Sequence, residues 1–268
     1  MLFLQNKTSV GLYCLLTIII FLAVTTGCNS KPTQRTSLTV AVASSLRPVI
    51  EDFVSIFETK YPQTKIFLAS GSSGALAQQI KNGASYDIFV SANQVYTEML
   101  QNEGFLDAKA TRPIATGKLT LISHTNQNSI DINKLLTSAQ NKHISIANPR
   151  LAPYGEAAIA FLEDNDMLST NKEKIIFTEN VAQAFQLILS KNADLGFVSK
   201  SLVKSHAPDN FGMVYELPEQ YNSKLIVTVG LNKQANSNPK ANEYYKLLFE
   251  SKYQNIWQKY EYESLIAN

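Results

Sequence analysis

The chain has 268 residues, 45% of them hydrophobic and 17% charged, with 24 basic and 22 acidic side chains. That is the composition of a folded globular protein and excludes a disordered or fibrous chain, while so even a balance of charge excludes nucleic acid as a partner. Its two cysteines, Cys14 and Cys28, both fall near the N-terminus, which leaves the body of the chain without a disulfide, a catalytic thiol or a cysteine-built zinc site.

Residues 1–27 carry one charge, Lys7, an apolar stretch from Val10 to Val24, and the small residues Thr25, Thr26 and Gly27 before Cys28. This pattern predicts an export signal. Cleavage before Cys28 resembles bacterial lipoprotein processing, with Cys28 as the lipid attachment, although Thr25 stands where a leucine-like residue is more usual. An uncleaved membrane anchor is the alternative. Removal of the signal leaves 23 basic against 22 acidic residues. The polar, unpatterned residues 28–37 read as a tether, and the folded part is expected to begin near Leu38.

From there strands and helices alternate. "LTVAVA" reads as a strand, followed by Leu46, Val49, Ile50, Phe53, Ile56 and Phe57 at helical spacing, then "KIFLAS" as a strand and a helix after Ser73. "YDIFVSA" (86–92), "KLTLISH" (118–124), "HISIANP" (143–149), "ADLGFVS" (193–199) and "KLIVTVGLN" (224–232) give further strands. Helical patterns fill the gaps, including 155–165 and 180–192. Such alternation predicts an α/β fold of mainly parallel sheets flanked by helices. The strands at 118–124 and 224–232 are long enough to cross between two lobes, one of residues 38–117 and 226–268 and the other of residues 118–225. The aromatic-rich stretch 242–264 reads as helical, its rings as packing.

In an open α/β sheet a ligand sits beyond the carboxyl ends of the strands, where helices begin. Four such junctions put hydroxyls or amides at a helix start: "VASSLRP" with Ser44 and Ser45, "SGSSGA" with Ser72 and Ser73, "NPRLAPYGEA" with Tyr154 and Gly155, and "FTENVAQA" with Asn180 and Val181. A helix entrance carries about half a positive charge through its unpaired N–H groups. Several aimed at one point make an anion site without a charged side chain. The alternative for any one junction is helix capping alone.

The succession "VASSL", "SGSSGALAQQI", "GASYDIFVSAN", "TGKLTLIS", "IANPRLAPYG", "TENVAQA" and "LGFVSKS" closely resembles the molybdate-binding receptors of bacterial ABC uptake transporters, from about Leu38 to the C-terminal helices. The resemblance implies a two-lobed periplasmic-binding-protein fold of type II, closing on a hinge of two crossing segments, with one tetrahedral oxyanion in the cleft. It implies a serine after the first strand, a serine in the Gly/Ser run, an amide after the proline of the P-x-G turn and a valine amide at a later helix start as ligands: Ser45, Ser73, Tyr154 and Val181. Ser44 and Ser72 are further candidate contacts, or caps. Many members carry a tyrosine hydroxyl where this chain has Ser199, so Ser199 is a shorter candidate contact and the Tyr154 phenol a candidate replacement. The family's setting implies a permease and its ATPase as partners, an extracytoplasmic location, a lipid anchor and a monomer. No enzymatic activity and no cofactor are expected, molybdenum entering only as molybdate or tungstate.

The chemistry suits the donors. Molybdate and tungstate are fully deprotonated dianions near neutral pH, so every oxygen accepts, whereas phosphate keeps a proton that wants an acceptor. Sulfate makes the same demands at smaller size and stays open as a ligand. Ferric iron is a rival through Tyr244 and Tyr245, and serine hydrolysis through the junction serines. "GSSG" lacks the G-x-S-x-G spacing of a nucleophile elbow, and His124, His143 and His206 read as strand-end or loop residues.

Overall fold

The computed structural model describes residues 36–123, 131–138, 143–208 and 212–266. The expected export signal, Cys28 and most of the tether lie outside them, as does His124. Among the described residues no helix is long and apolar enough to cross a membrane.

Among the described residues eleven strands form two sheets. The first takes β1 (Thr36–Ala43), β2 (Thr64–Gly71), β3 (Ile88–Ser91), β4 (Leu106–Thr116), β10 (Ile226–Asn232) and β11 (Glu263–Ser264) in the order β11-β4-β10-β3-β1-β2. The second takes β5 (Leu119–Ser123), β6 (Ile144–Ala147), β7 (Ile175–Thr178), β8 (Leu195–Ser199) and β9 (Met213–Glu216) in the order β7-β6-β8-β5-β9. β1 pairs parallel with β2 and β3, and β4 is antiparallel to β10, which is antiparallel to β3. Hence β1 to β4 run one way and β10 and the two-residue β11 run back. In the second sheet β6 is parallel to β7 and β8, and β5 is antiparallel to both β8 and β9, so β5 alone is reversed. Both sheets are mixed where mainly parallel ones are expected: four of the nine strand pairings are parallel and five antiparallel, and the reversed long strands are the two that follow the chain's crossings between sheets.

Alternation along β1 divides its side chains between two layers. Leu38, Val40 and Val42 pack with Phe53 and Phe57 of α1 (Arg47–Lys60) and with Trp257 of α10 (Gln254–Lys259). Ala41 packs with Phe89 and with Leu76, Ala77 and Ile80 of α2 (Ser73–Lys81), and Leu100 of α3 (Gln94–Asn102) joins them. The second sheet is covered by α5 (Pro153–Asp164) and α7 (Val181–Leu189). Phe161 of α5 lies 5.8 Å from Phe197 of β8 and edge-on to Tyr221 at 5.2 Å. The remaining helices are α4 (Ile132–Thr137), α6 (Leu168–Asn171), α8 (Lys200–His206) and α9 (Pro239–Leu248).

The structure departs from the sequence expectations in three further places. β1 starts at Thr36, so the last two residues expected in the tether belong to the first sheet. β4, β7, β9 and β11 were not expected. β4 hides its period behind Asp107, Lys109, Arg112 and Pro113, and its ladder with β10 shifts register between Val227 and Thr228, opposite Ala115 and Pro113, where a proline has no N–H to give. The C-terminal stretch is two helices, α9 and α10, parted by a short 3-10 turn at Ser251–Tyr253.

The two segments joining the sheets lie side by side. Gly117 N–H donates to the Leu225 carbonyl at 2.8 Å, and Leu119 N–H to Asn222 Oδ1 at 2.8 Å.

Candidate functional site

Each expected ligand residue stands just beyond the carboxyl end of a strand. Ser45 follows β1 in a 3-10 turn, Ser44–Leu46, and Ser73 opens α2 after β2. Tyr154 is the second residue of α5 after β6, and Val181 the first of α7 after β7. Two therefore come from the first sheet and two from the second. The two groups of junctions meet: Gly74 N–H donates across to the Leu151 carbonyl at 2.8 Å, and a Cβ on Gly74 would lie 2.9 Å from Leu151 Cα. Only glycine permits that approach of backbones.

The two serines are prepared differently. Ser73 is fully buried, and its Oγ accepts the Ala92 N–H at 3.1 Å, which leaves the hydroxyl hydrogen to donate. Ser45 is 1% exposed and its Oγ, beside the Tyr154 and Tyr262 phenols, has no hydrogen-bond partner among the described residues. A buried hydroxyl without a partner is costly. The rest of Ser45 is tied down, its carbonyl accepting from Tyr262 O–H at 2.8 Å and from Ser201 Oγ at 3.2 Å.

On the second sheet the donors are amides. Pro153 at the first position of α5 has no N–H, so the Tyr154 amide is the first donor that helix offers. The start of α5 is pressed onto β6 at Gly155, where a Cβ would fall 1.9 Å from the Ala147 carbonyl oxygen. At α7 the Asn180 side chain caps Ala182 and Gln183, each at 3.1 Å. The Val181 amide, ahead of them, is not one of the two that the Asn180 side chain takes.

The further candidates separate. Ser72 is the N-cap residue of α2 but its side chain makes no capping bond. Ser44 lines a groove between α1, α7 and α8 with Arg47, Ser70, Asn180 and His206. Ser199 is buried and donates to the Tyr154 hydroxyl at 3.3 Å, and that phenol reaches Gly117 at the crossing. So Ser199 and the tyrosine expected to stand in for a longer residue there are hydrogen-bonded to one another. Burial, and then the adjacent Tyr262, hold the Tyr154 phenol well above the usual tyrosine range, and burial raises Tyr262 as well, so both stay protonated donors.

Charge is kept off these atoms. Arg47 pairs with Glu51 at 2.8 Å, and Lys200 with Glu216 and Glu261. Glu156, in the first turn of α5, turns to Lys224 at 3.2 Å, and Glu179 exchanges hydrogen bonds with Gln183 on the surface. Among the described residues there is no group of three or more metal-ligating side chains. Tyr244 and Tyr245 lie within α9, where Tyr244 packs edge-on to Phe57 at 5.2 Å and Tyr245 against Phe249 at 5.0 Å. They build core instead of meeting a cleft. His143 begins the approach to β6, its amide given to Asp194, and His206 lines the outer groove. Sequence reasoning placed Tyr262 among packing aromatics, and nothing local marks it as reaching Ser45.

Two sheets whose helix starts meet over buried neutral donors define a solute-binding receptor of the type II periplasmic-binding fold. A family model described as "Bacterial extracellular solute-binding protein" matches residues 38–263, and the chain belongs to that family. The "Molybdate-binding protein ModA" of Azotobacter vinelandii is 34% identical over 185 residues, 69% of this chain and 73% of its own length. The "Putative ABC transporter substrate-binding lipoprotein YvgL" of Bacillus subtilis is 24% identical over 239 residues, 87% of this chain and 91% of its own. The solved periplasmic molybdate-binding protein of A. vinelandii matches with a TM-score of 0.78 at 29% identity, covering 84% of this chain and 98% of that one. The chain is thus an extracytoplasmic receptor and not an enzyme.

Proposed function

We propose that the chain captures molybdate, and tungstate with it, and delivers the ion to an ABC importer. The observation that carries this is the buried Ser45 Oγ, without a partner among the described residues, in a turn that packs against the helix opening at Val181. Ser45 Oγ, Ser73 Oγ and the amides of Tyr154 and Val181 each bring a hydrogen to donate and no carboxylate among them, which suits a dianion with no proton of its own better than a protonated phosphate. The names of the A. vinelandii relatives support the same ligand.

The lobes of the account are residues 38–117 with 226–268 and residues 118–225, hinged at 116–119 and 224–227. The distribution of strands between the sheets supports that division. A ligand touching both lobes favours closure by its differential affinity, and a permease with its ATPase reads the closed shape. A lipid on Cys28 would hold this monomeric receptor at the membrane, a reading supported by the lipoprotein relative.

A thermal-shift panel of molybdate, tungstate, sulfate, phosphate and chromate tests the ligand. At a hundredfold excess over Kd a ligand stabilises by about 2.7 kcal/mol, roughly 5 to 10 °C in Tm for a domain of this size. Molybdate and tungstate are expected to give shifts of that order at micromolar concentration. A larger shift with sulfate moves the assignment to that ion, and no shift with any oxyanion overturns it.

A further inference from the structure

Ser45 divides its polar atoms between two tasks. Its side-chain oxygen has no partner among the described residues, while its carbonyl takes two hydroxyls from distant parts of the chain. Tyr262 comes from the segment that leads into β11 of the first sheet, and Ser201 from the first turn of α8, beyond β8 of the second. Both are buried. The turn they grip is only three residues long, and no side chain caps its start. These hydroxyls help fix the peptide plane after Ser45 at the entrance to α1, and with it the direction of the Ser45 side chain.

Tyr262 is itself held. Its amide donates to the Trp257 carbonyl at 3.0 Å, and its ring stands edge-on to the Trp257 ring at 5.8 Å. Glu261 before it adopts a left-handed backbone, φ 63°, which turns the chain so that Tyr262 points inward. Glu261 also pairs with Lys200 at 3.2 Å, next to Ser201. The 261–262 and 200–201 segments are therefore joined twice, once by an ion pair and once through the Ser45 carbonyl.

We propose that Tyr262, together with Ser201, is a positioning residue for oxyanion capture, acting through the Ser45 carbonyl to aim the Ser45 hydroxyl at the ion. This rests on the reading that Ser45 contacts the anion. Tyr262 shares a sheet with Ser45 and holds it in either state of the hinge. Ser201 belongs to the other sheet and adds its bond when the two sides are together.

The test is a double-mutant cycle by calorimetry with molybdate, using the parent, Tyr262→Phe, Ser45→Ala and the double variant. Tyr262→Phe keeps the ring and removes one hydroxyl, and is expected to weaken binding about tenfold. In the Ser45→Ala background the same change is expected to shift affinity by less than about twofold, because the hydroxyl it aims is gone. Full additivity, or unchanged affinity for Tyr262→Phe while Ser45→Ala binds more weakly, overturns the inference and leaves the oxyanion reading standing. Parental affinity for Ser45→Ala overturns both. Should Tyr262→Phe not fold, Ser201→Ala takes its place in the cycle with the same expected and contrary results.

Discussion

The two halves of the proposed site would solve one problem with different atoms. The first sheet offers side-chain hydroxyls, Ser45 and Ser73, on residues buried at strand ends. The second offers backbone amides, Tyr154 and Val181, at helix starts shaped by Pro153 and by the Asn180 cap. The amides come with the fold and any residue but proline supplies them. The hydroxyls depend on residue identity, so substitutions should act unequally on the two halves.

The largest effect is expected for Ser73→Asp. The carboxylate can still accept the Ala92 N–H that Ser73 Oγ accepts now, but it sets a buried negative charge against a dianion. Calorimetry should detect no molybdate binding, and parental affinity would remove Ser73 from the site.

Next come the alanine variants of the two serines, which differ in kind. Ser45→Ala should weaken binding about ten- to a hundredfold, the loss of a hydrogen bond to a charged group of about 1.5 to 3 kcal/mol. The ligand-free protein should be as stable as the parent or slightly more so, because a buried hydroxyl without a partner disappears. Ser73→Ala should lower both affinity and ligand-free stability, since the Ala92 amide loses its acceptor. Urea midpoints beside calorimetric affinities separate the two.

A smaller change is expected on the amide half. Tyr154→Phe keeps the amide and removes the hydroxyl that receives the Ser199 bond. Affinity should fall by about threefold, with about 1 kcal/mol of stability. A loss as large as that of Ser45→Ala would make the phenol a direct ligand.

The smallest effect is that of pH. None of the four donors titrates between about pH 6 and 9, so molybdate affinity should be level across that range. Stability behaves otherwise at the alkaline end. The folded pKa values of Tyr154 and Tyr262 are raised above the unfolded value of about 10, so their contribution is complete below pH 10 and is lost as pH rises beyond it. Urea titrations at pH 8 and pH 11 check the sign.

The same contrast explains how much was legible in the sequence. Amide donors announce themselves locally: Pro153 with Gly155, and Asn180 before an apolar helical run, mark helix starts without knowledge of the fold. Ser45 and Ser73 were legible as hydroxyls at strand-to-helix junctions, and the order of all four junctions placed two on each sheet. What no local pattern carried was contact across the chain. Tyr262 and Ser45 are 217 residues apart, and Gly74 meets Leu151 because of how the sheets come together. β4 stayed hidden because its charged residues and Pro113 obscure the alternation that marks a strand. The fully buried β3 and β8 showed as short apolar runs.

The central claim is that a doubly charged tetrahedral ion is held between the two sheets by uncharged donors. Anomalous scattering from crystals grown with molybdate locates the metal directly. One peak is expected within hydrogen-bonding reach, through the ion's oxygens, of Ser45 Oγ, Ser73 Oγ and the Tyr154 and Val181 amides. A peak elsewhere, or a lysine or arginine bonded to the ion, would contradict it.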